Sequence, residues 1–368
     1  MRPRPLLFFF LLLLVPFTVC FLRPDFIGVD SYAHLLLTCK NNNVSGITGT
    51  SFSLFSVLPC NFMALKLLLF GCAAVSGFFI IQTCRLFSPK NYWLASILIF
   101  LSSTTVLEFT KLENDTFAIP FLFASIYFFY RGIKTGSRKS WAACFGLLAP
   151  AAMLWTGAGF FLLAYALTVY LLWVFIIPVM LTVGNFGVDS FLGQVIRTNR
   201  VAEDLPFKFH VHFLLNIGVA GCILEPILLP QAAFFFMLGI ASAKFWILSL
   251  PLLVVGLVRI LEEVKIPALT TFFLIASLVT VGALAQSVWL NPPTQDDWQA
   301  IDFALAVDGN ANSDWGKGYW MRWKGGTTDS FGSVHRQTPF LDGQVVVTQR
   351  DTNCTVLKEF GTRKVVRC

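Results

Sequence analysis

Residues 6–22, LLFFFLLLLVPFTVCFL, form an apolar stretch without a charged side chain, and Arg2 and Arg4 precede it. A helix needs roughly 20 apolar residues to cross the hydrocarbon core of a bilayer. Basic residues that flank a span favour the cytoplasmic side, and no small-residue cleavage site follows this one. The stretch therefore predicts a first membrane span, a retained signal anchor whose N-terminus lies in the cytoplasm.

The composition of the whole chain is that of a membrane protein. Of 368 residues, 56% are apolar and 13% are charged, whereas soluble domains carry roughly 25% charged residues. Mean hydropathy is +0.71. From Trp289 onward, nine Lys and Arg balance nine Asp and Glu, so the net charge of +7 belongs to the apolar part. This charge predicts membrane topology rather than nucleic-acid binding. We expect a multi-span domain over 1–288 and a small extracytoplasmic domain over 289–368.

Further apolar stretches alternate with short polar loops. The loops after the second and fourth stretches are basic, and those after the first and third carry acids, so the charges agree with one topology at every crossing. The segment 141–196 is compatible with more than one number of crossings. The sequence therefore predicts an all-α polytopic protein with nine to eleven transmembrane helices. The further spans that we place individually are 62–79, 93–109, 117–130, 209–229, 231–243, 245–261 and 266–288.

The tail has the pattern of a small α/β unit. Residues 296–306 predict a short helix, and alternating apolar residues over 344–347 and 356–366 predict strands. Cys354 and Cys368 could pair in an oxidising compartment, but their spacing alone does not determine pairing. The nine cysteines form no CxxC motif and no Cys/His cluster, which argues against a zinc site.

Acidic residues recur in the loops that this topology places outside the cytoplasm. Asp30 and His34 are spaced i, i+4 and would share one face of a helix. Glu113 and Asp115 flank Asn114, and two carboxylates this close can converge on a divalent cation, which prefers hard oxygen ligands. Taken singly, each of these acids is most simply a solvated loop residue, and a histidine is more often packed than ligating.

Two later clusters extend the pattern to the second half of the chain. Glu203 precedes an apolar stretch, and the segment SDWGKGYW, residues 313–320, lies in the tail. Both fall on the side predicted for Asp30 and Asp115. The shared side and the order of the clusters favour one common site over four independent solvated loops.

In these clusters the chain resembles the catalytic subunit of oligosaccharyltransferase, a membrane glycosyltransferase of the GT-C type. The similarity is carried by Gly28-Val-Asp30-Ser-Tyr-Ala-His34-Leu, by Glu113-Asn-Asp115-Thr-Phe, by Trp155-Thr-Gly157, by Arg200-Val-Ala-Glu203-Asp-Leu-Pro206 and by Asn312-Ser-Asp314-Trp315-Gly316. The chain is shorter than is usual in that family. Asn312 and Ser313 stand where the family has paired tryptophans that help to hold the acceptor hydroxyl.

The resemblance implies a GT-C-like fold and the transfer of a glycan from a polyprenyl-pyrophosphate donor to asparagine of an acceptor polypeptide, with inversion. It implies a Mn²⁺ or Mg²⁺ cofactor. It also implies an integral membrane protein, either of a prokaryotic plasma membrane, which we expect to be archaeal, or of the ER membrane. The site would lie on the extracytoplasmic or luminal face. It is compatible with a single-subunit enzyme. The implied roles are catalysis by Asp30 and Glu203, metal binding by Asp30, Glu113 and Asp115, pyrophosphate binding by Lys244 and His34, and acceptor binding by Asp314, Trp315 and Gly316.

Two other functions are compatible with the sequence. One is a different GT-C enzyme that uses a polyprenyl-phosphate sugar, such as a protein O-mannosyltransferase or a lipid-modifying transferase, which needs neither the metal pair nor the tail motif. The other is a transporter without chemistry, which would place ionisable residues near the bilayer midplane. Glu225 is the one carboxylate deep in a later predicted span, so the acids favour an enzyme.

Overall fold

The computed structural model describes residues 4–28, 30–40, 57–102, 107–169, 213–241, 243–313, 318–326, 343–349 and 352–368. These residues are mostly helical, with a small sheet near the C-terminus. The helices are α1 Arg4–Leu22, α2 Asp30–Lys40, α3 Phe62–Phe87, α4 Ala95–Leu98, α5 Asn114–Thr135, α6 Arg138–Leu154, α7 Gly159–Val169, α8 Phe213–Cys222, α9 Leu229–Ala241, α10 Ala243–Val264, α11 Pro267–Leu290, α12 Gln295–Val307 and α13 Gly318–Trp323. The strands are β1 Asn312–Ser313, β2 Val345–Thr348, β3 Thr355–Phe360 and β4 Arg363–Arg367.

Four helical stretches within the described residues are long and apolar enough to cross a membrane. They are Pro5–Leu22, Phe62–Phe87, Asn114–Thr135 and Pro267–Val307, the last of which comprises α11 and α12. At 1.5 Å per residue, the 24 residues of α11 extend about 36 Å, more than the ~30 Å hydrocarbon core. These stretches confirm the prediction of a mostly helical protein with several long apolar helices, which are consistent with a membrane protein. The total of nine to eleven spans stays a prediction, because part of 141–196 lies outside the described residues.

The predicted span over 93–109 is wrong as one continuous helix. A helical segment over Tyr92–Leu101 combines 3-10 turns with α4, and the chain becomes extended at Ser102. Ten helical residues rise only about 15 Å, which is about half of the hydrocarbon core. The predicted span over 209–229 is likewise interrupted, since α8 ends at Cys222 and turns occupy 223–228.

The chain forms two compact units. The first comprises Met1–Val15, Gly71–Val106 and Phe117–Leu284, and the second comprises Pro16–Phe70, Leu107–Thr116 and Ala285–Cys368. The predicted division of the chain after residue 288 stays a prediction.

Within the first unit, α8 and α10 touch through their backbones. A Cβ atom added at Gly218 would lie 2.0 Å from the carbonyl oxygen of Leu253, and one at Gly221 would lie 1.9 Å from that of Gly256. Any side chain at these positions would force the helices apart. Small residues that permit close backbone approach are a general device for packing helices in membranes.

Within the second unit, α12 packs on a four-stranded sheet of order β1-β2-β4-β3. Strand β2 is parallel to β1 and antiparallel to β4, which forms a hairpin with β3. Thr294 and Asp297 form a reciprocal capping box at the start of α12, and the buried Arg363 guanidinium donates to the Asp297 carboxylate. The Cys354–Cys368 disulfide joins the ends of the hairpin. The predicted helix and strands of the tail are confirmed.

Candidate functional site

Three carboxylates of the second unit converge, and we call Glu108, Glu113 and Asp115 the acidic cluster. One ligand atom from each residue lies within 4.8 Å of those of the other two. All three residues are buried, with exposed fractions of 6%, 3% and 8%. The sequence predicted Glu113 and Asp115 as metal ligands, and the structure brings these two together. The 4.8 Å spacing fits one shared cation, since ligand distances of about 2.0–2.6 Å separate two oxygens by up to roughly 5 Å.

The local fold of this segment holds the cluster in place. Glu108 is helical and directly precedes a turn at 109–110, and α5 begins six residues after Glu108, at Asn114. The Thr116 hydroxyl donates to the Glu108 carbonyl (3.1 Å), which joins the turn to the helix. The Thr116 amide donates to Asp115 Oδ1 (3.1 Å). Because Asp115 lies in the first turn of α5, the positive end of the helix dipole also favours its negative charge.

Lys111 provides a cation next to the cluster. Its Nζ lies 3.1 Å from Glu108 Oε2 and 3.9 Å from Glu113 Oε1. Three carboxylates and one ammonium carry a formal charge of −3 + 1 = −2. Buried charges are costly unless they are compensated. A divalent cation would compensate more of the carboxylate charge than one ammonium does, and carboxylate oxygens are the ligands that Mg²⁺ and Mn²⁺ favour.

The first predicted outer loop is bonded directly to the acidic segment. Ile27 and Lys111 form a parallel β-bridge. The buried Ser31 hydroxyl accepts from the Leu112 amide (2.9 Å) and donates to the Ile27 carbonyl (2.7 Å). The residue before Ser31 is Asp30, which begins α2. The backbone of the Asp30 motif and that of the acidic cluster therefore meet, as a common site requires.

Gly28 makes the turn that leads into α2. Its φ of +87° lies in the left-handed region, where a side chain is strained. Its amide donates to the Pro292 carbonyl (3.1 Å), and the aliphatic stem of Lys111 lies against its open face. Gly28 therefore brings three segments of the second unit together: the first loop, the acidic segment and the start of the tail.

Arg23 makes several hydrogen bonds to the start of the tail, in addition to the one from Gly28. The buried guanidinium donates to carbonyls at the C-terminal end of α11 and beyond, including those of Val288, Asn291 (2.8 Å) and Pro293 (2.8 Å). The last carbonyls of a helix have no partner within it, and a cation is favoured at that end. Asp25 lies 3.7 Å from the guanidinium. This arrangement attaches the chain after α11 to the loop that precedes Asp30.

An aromatic cluster packs α2 against α12 and α13. Tyr32 contacts Trp298, Trp320 and Trp323, with ring centroids 5.4, 6.4 and 6.0 Å away. The Trp298 indole donates to Asp25 Oδ2 (2.9 Å). Burial, with a smaller contribution from the charge of Asp25, raises the pKa of Tyr32, so its hydroxyl stays neutral. Two members of the cluster, Trp320 and Trp323, belong to α13, which begins at Gly318, shortly after the Asp314-Trp315-Gly316 motif in the sequence.

The other predicted site residues are placed only in part. His34 is buried on α2, one turn after Asp30, and its carbonyl accepts from the Thr38 hydroxyl. Asp30 and Lys244 are assigned to α2 and α10, but their side chains lie outside the described part of the structure. The remaining predicted residues, Glu203, Asp314, Trp315 and Gly316, lie outside the described residues.

Two members of the site were not foreseen. The sequence placed Glu108 among the outer acids but near the end of a predicted span, and it gave Lys111 no role. The i, i+3 spacing of these opposite charges was the available signal, since it brings two side chains together in a helical turn. A comparison of this chain with protein-family models and with curated proteins gives no match.

Proposed function

We propose that this chain is a metal-dependent membrane glycosyltransferase of the GT-C type with nine to eleven spans. It transfers a glycan from a polyprenyl-(pyro)phosphate donor to asparagine of an acceptor polypeptide. The observation that supports this proposal best is the buried acidic cluster bonded through Ser31 to the start of α2, where Asp30 lies. This hydrogen bond joins two sequence motifs 81 residues apart, which supports the proposal that both contribute to one anionic site.

The disulfides support an extracytoplasmic or luminal site. The second unit contains the acidic cluster and two cystine bridges, Cys39–Cys60 and Cys354–Cys368. Disulfides form and persist in oxidising compartments and are rare in the cytosol. The positive-inside pattern of the sequence independently predicts the same side for these residues.

The acidic cluster would hold the cation, Mn²⁺ or Mg²⁺, through Glu108, Glu113 and Asp115, with Asp30 as a further proposed ligand. When bound, a divalent cation stabilises the negative charge that develops on a phosphate leaving group. Asp115 is held for this role by the Thr116 amide. Lys244 and His34 are proposed to bind the donor pyrophosphate.

The acceptor side has a different chemical need. An asparagine amide nitrogen is a poor nucleophile, because its lone pair is delocalised into the carbonyl. Carboxylates that accept both N–H bonds weaken that delocalisation and orient the nitrogen toward the sugar carbon. We assign this role to Asp30 and Glu203, and we place the acceptor chain beside Asp314, Trp315 and Gly316. In-line displacement would invert the anomeric centre.

Glycan transfer from a lipid-linked donor to a fluorescent asparagine peptide tests this proposal. The purified chain is stripped with EDTA and assayed with and without Mn²⁺. We expect activity only with the metal, and Asp115→Asn and Glu113→Gln should each lower it at least about a hundredfold, the usual effect of removing one electrostatic stabiliser of a transition state. Asp302→Asn is the control, since this exposed carboxylate of the same unit pairs with Lys324 and is not a member of the cluster.

The outcomes separate the competing functions. Transfer to peptide that persists in EDTA would refute the metal-dependent mechanism. Activity with a polyprenyl-phosphate sugar, but not with asparagine peptides, would favour the other GT-C enzymes. Loss of activity in Asp302→Asn equal to that in Asp115→Asn would show a general defect rather than a role for the cluster.

A further inference from the structure

Lys111 lies beside two of the three carboxylates that would hold a metal ion at the acidic cluster. Its ammonium is 3.1 Å from Glu108 and 3.9 Å from Glu113, two of the three carboxylates that would ligate the ion. A divalent cation takes such oxygens at about 2.0–2.6 Å. An ammonium and a metal that use the same carboxylates would therefore be close neighbours, and their like charges would repel.

The backbone of Lys111 is held in place, whereas the end of its side chain can move. The backbone is fixed by the bridge to Ile27, and the Cγ and Cδ atoms lie against Gly28. The side chain is nevertheless 24% exposed, whereas those of Glu108 and Glu113 are 8% and 4% exposed. Rotation about the terminal bonds can carry the ammonium toward solvent, while the buried carboxylates stay in place.

We propose that Lys111 is a built-in competitor of the metal: it compensates part of the negative charge of the acidic cluster when no ion is bound, and it is displaced when a divalent ion enters. This inference rests on the proposed function, because it takes the acidic cluster as the metal site. It adds that the affinity for the metal is set by the exchange of one cation for another. The resident ammonium stabilises two neighbouring carboxylates, Glu108 and Glu113, at the cost of weaker metal binding.

The test is Mn²⁺ affinity, measured by electron paramagnetic resonance on the purified full-length chain, together with the rise in melting temperature on adding Mn²⁺. Lys111→Met should bind Mn²⁺ at least roughly tenfold more tightly, because no ammonium then has to be separated from the carboxylates before the ion enters. Without metal this variant should melt below the wild type, since the carboxylates have lost their counter-ion. With saturating Mn²⁺ it should gain more in melting temperature than the wild type, because tighter binding to the folded state stabilises it more.

Two further variants exclude other causes. Lys111→Arg keeps the charge and should leave the Mn²⁺ affinity close to that of the wild type. Lys324→Met removes an equivalent charge from an exposed pair with Asp302 in the same unit and should leave it unchanged. If Lys324→Met tightened binding as much as Lys111→Met, the effect would be one of net charge and the proposal would fail.

The Mn²⁺-binding results distinguish a failure of this inference from a failure of the proposed function. If the wild type binds Mn²⁺ and Lys111→Met binds it equally or more weakly, Lys111 is no competitor, and the metal site stands. If only Lys111→Met binds Mn²⁺, the lysine is the permanent counter-ion of the cluster, and metal dependence of the wild type falls. If neither binds Mn²⁺, both the metal site and the competition are refuted.

Discussion

Replacing Ser31 with alanine should loosen the junction between the first loop and the acidic cluster. The change removes the acceptor of the buried Leu112 amide and the donor to the Ile27 carbonyl. A buried donor left without its partner costs about 1–3 kcal/mol, and a typical hydrogen bond contributes about 0.5–1.5 kcal/mol. We therefore expect the free energy of unfolding to fall by about 2–4 kcal/mol. Because Leu112 precedes Glu113, the affinity for Mn²⁺ should also fall about tenfold, as when support behind a metal ligand is lost.

The measurement is equilibrium unfolding of the purified chain in mixed micelles, followed by tryptophan fluorescence. Trp298, Trp320 and Trp323 surround Tyr32, the neighbour of Ser31, so three of the ten tryptophans of the chain lie beside this junction and contribute to the signal. Thr38→Val is the control. It removes a hydroxyl from the same helix, but that hydroxyl donates within α2, to the His34 carbonyl.

The control should change the free energy of unfolding by no more than about 0.5 kcal/mol, as is usual where no buried partner is orphaned. A Ser31→Ala protein that unfolds like the control and binds Mn²⁺ like the wild type would refute the reasoning. The two segments would then be positioned by packing alone. If Ser31→Ala lost stability but kept its Mn²⁺ affinity, the hydroxyl would have a structural role but no role in supporting the metal site.

Three other predictions concern the tail and the topology. Arg23→Met should lower the free energy of unfolding by about 3–5 kcal/mol, since it leaves Asp25 and the carbonyls after α11 without their cation. A change below about 1 kcal/mol in the same unfolding assay would refute this. A cysteine introduced at the exposed position 324, as Lys324→Cys, should react with a membrane-impermeant maleimide from outside intact cells, whereas labelling only after permeabilisation would overturn the grouping of the site. Because Asn312 and Ser313 replace the paired tryptophans of the resembling family, Asn-x-Ala peptides should be disfavoured by only about 10–200-fold, the range of a purely apolar contact. Strict dependence of peptide turnover on Ser or Thr would contradict the match of the tail motif.

Local patterns predicted the parts of the fold that local interactions determine. Helix α12 and strands β2–β4 lie within about two residues of their predicted bounds, because apolar periodicity and capping specify short elements directly. The convergence of Glu113 and Asp115 was also predictable, since two residues of separation at the start of a helix leave little freedom. Composition alone identified the long apolar helices.

Interactions between distant segments could not be predicted from local sequence patterns. The run over 93–109 is apolar enough for a span, yet the extended residue Ser102 ends the helical segment, and hydropathy does not register that break. Glu108 lies beyond that break, and the turn at 109–110 separates it from the other two members of the acidic cluster. The Cys39–Cys60 bridge was not predicted, because sequence spacing does not determine which cysteines pair. Ser31 and Arg23 act on partners 81 and more than 260 residues away, and no local pattern indicates them.

The bonds from Arg23 to the end of α11 have a consequence for biogenesis. The Val288 carbonyl lies 265 residues after Arg23 in the chain. At synthesis rates of about 5–20 residues per second, the arginine emerges roughly 13–50 s before its acceptors exist. During that interval a cation and the neighbouring carboxylate Asp25 must remain solvated or be held by the insertion machinery. The first loop and the acidic segment can associate early, but their attachment to the tail has to wait for the last long helix. Ribosome stalling or truncation before residue 288 should therefore leave a chain that enters the membrane but lacks the assembled second unit.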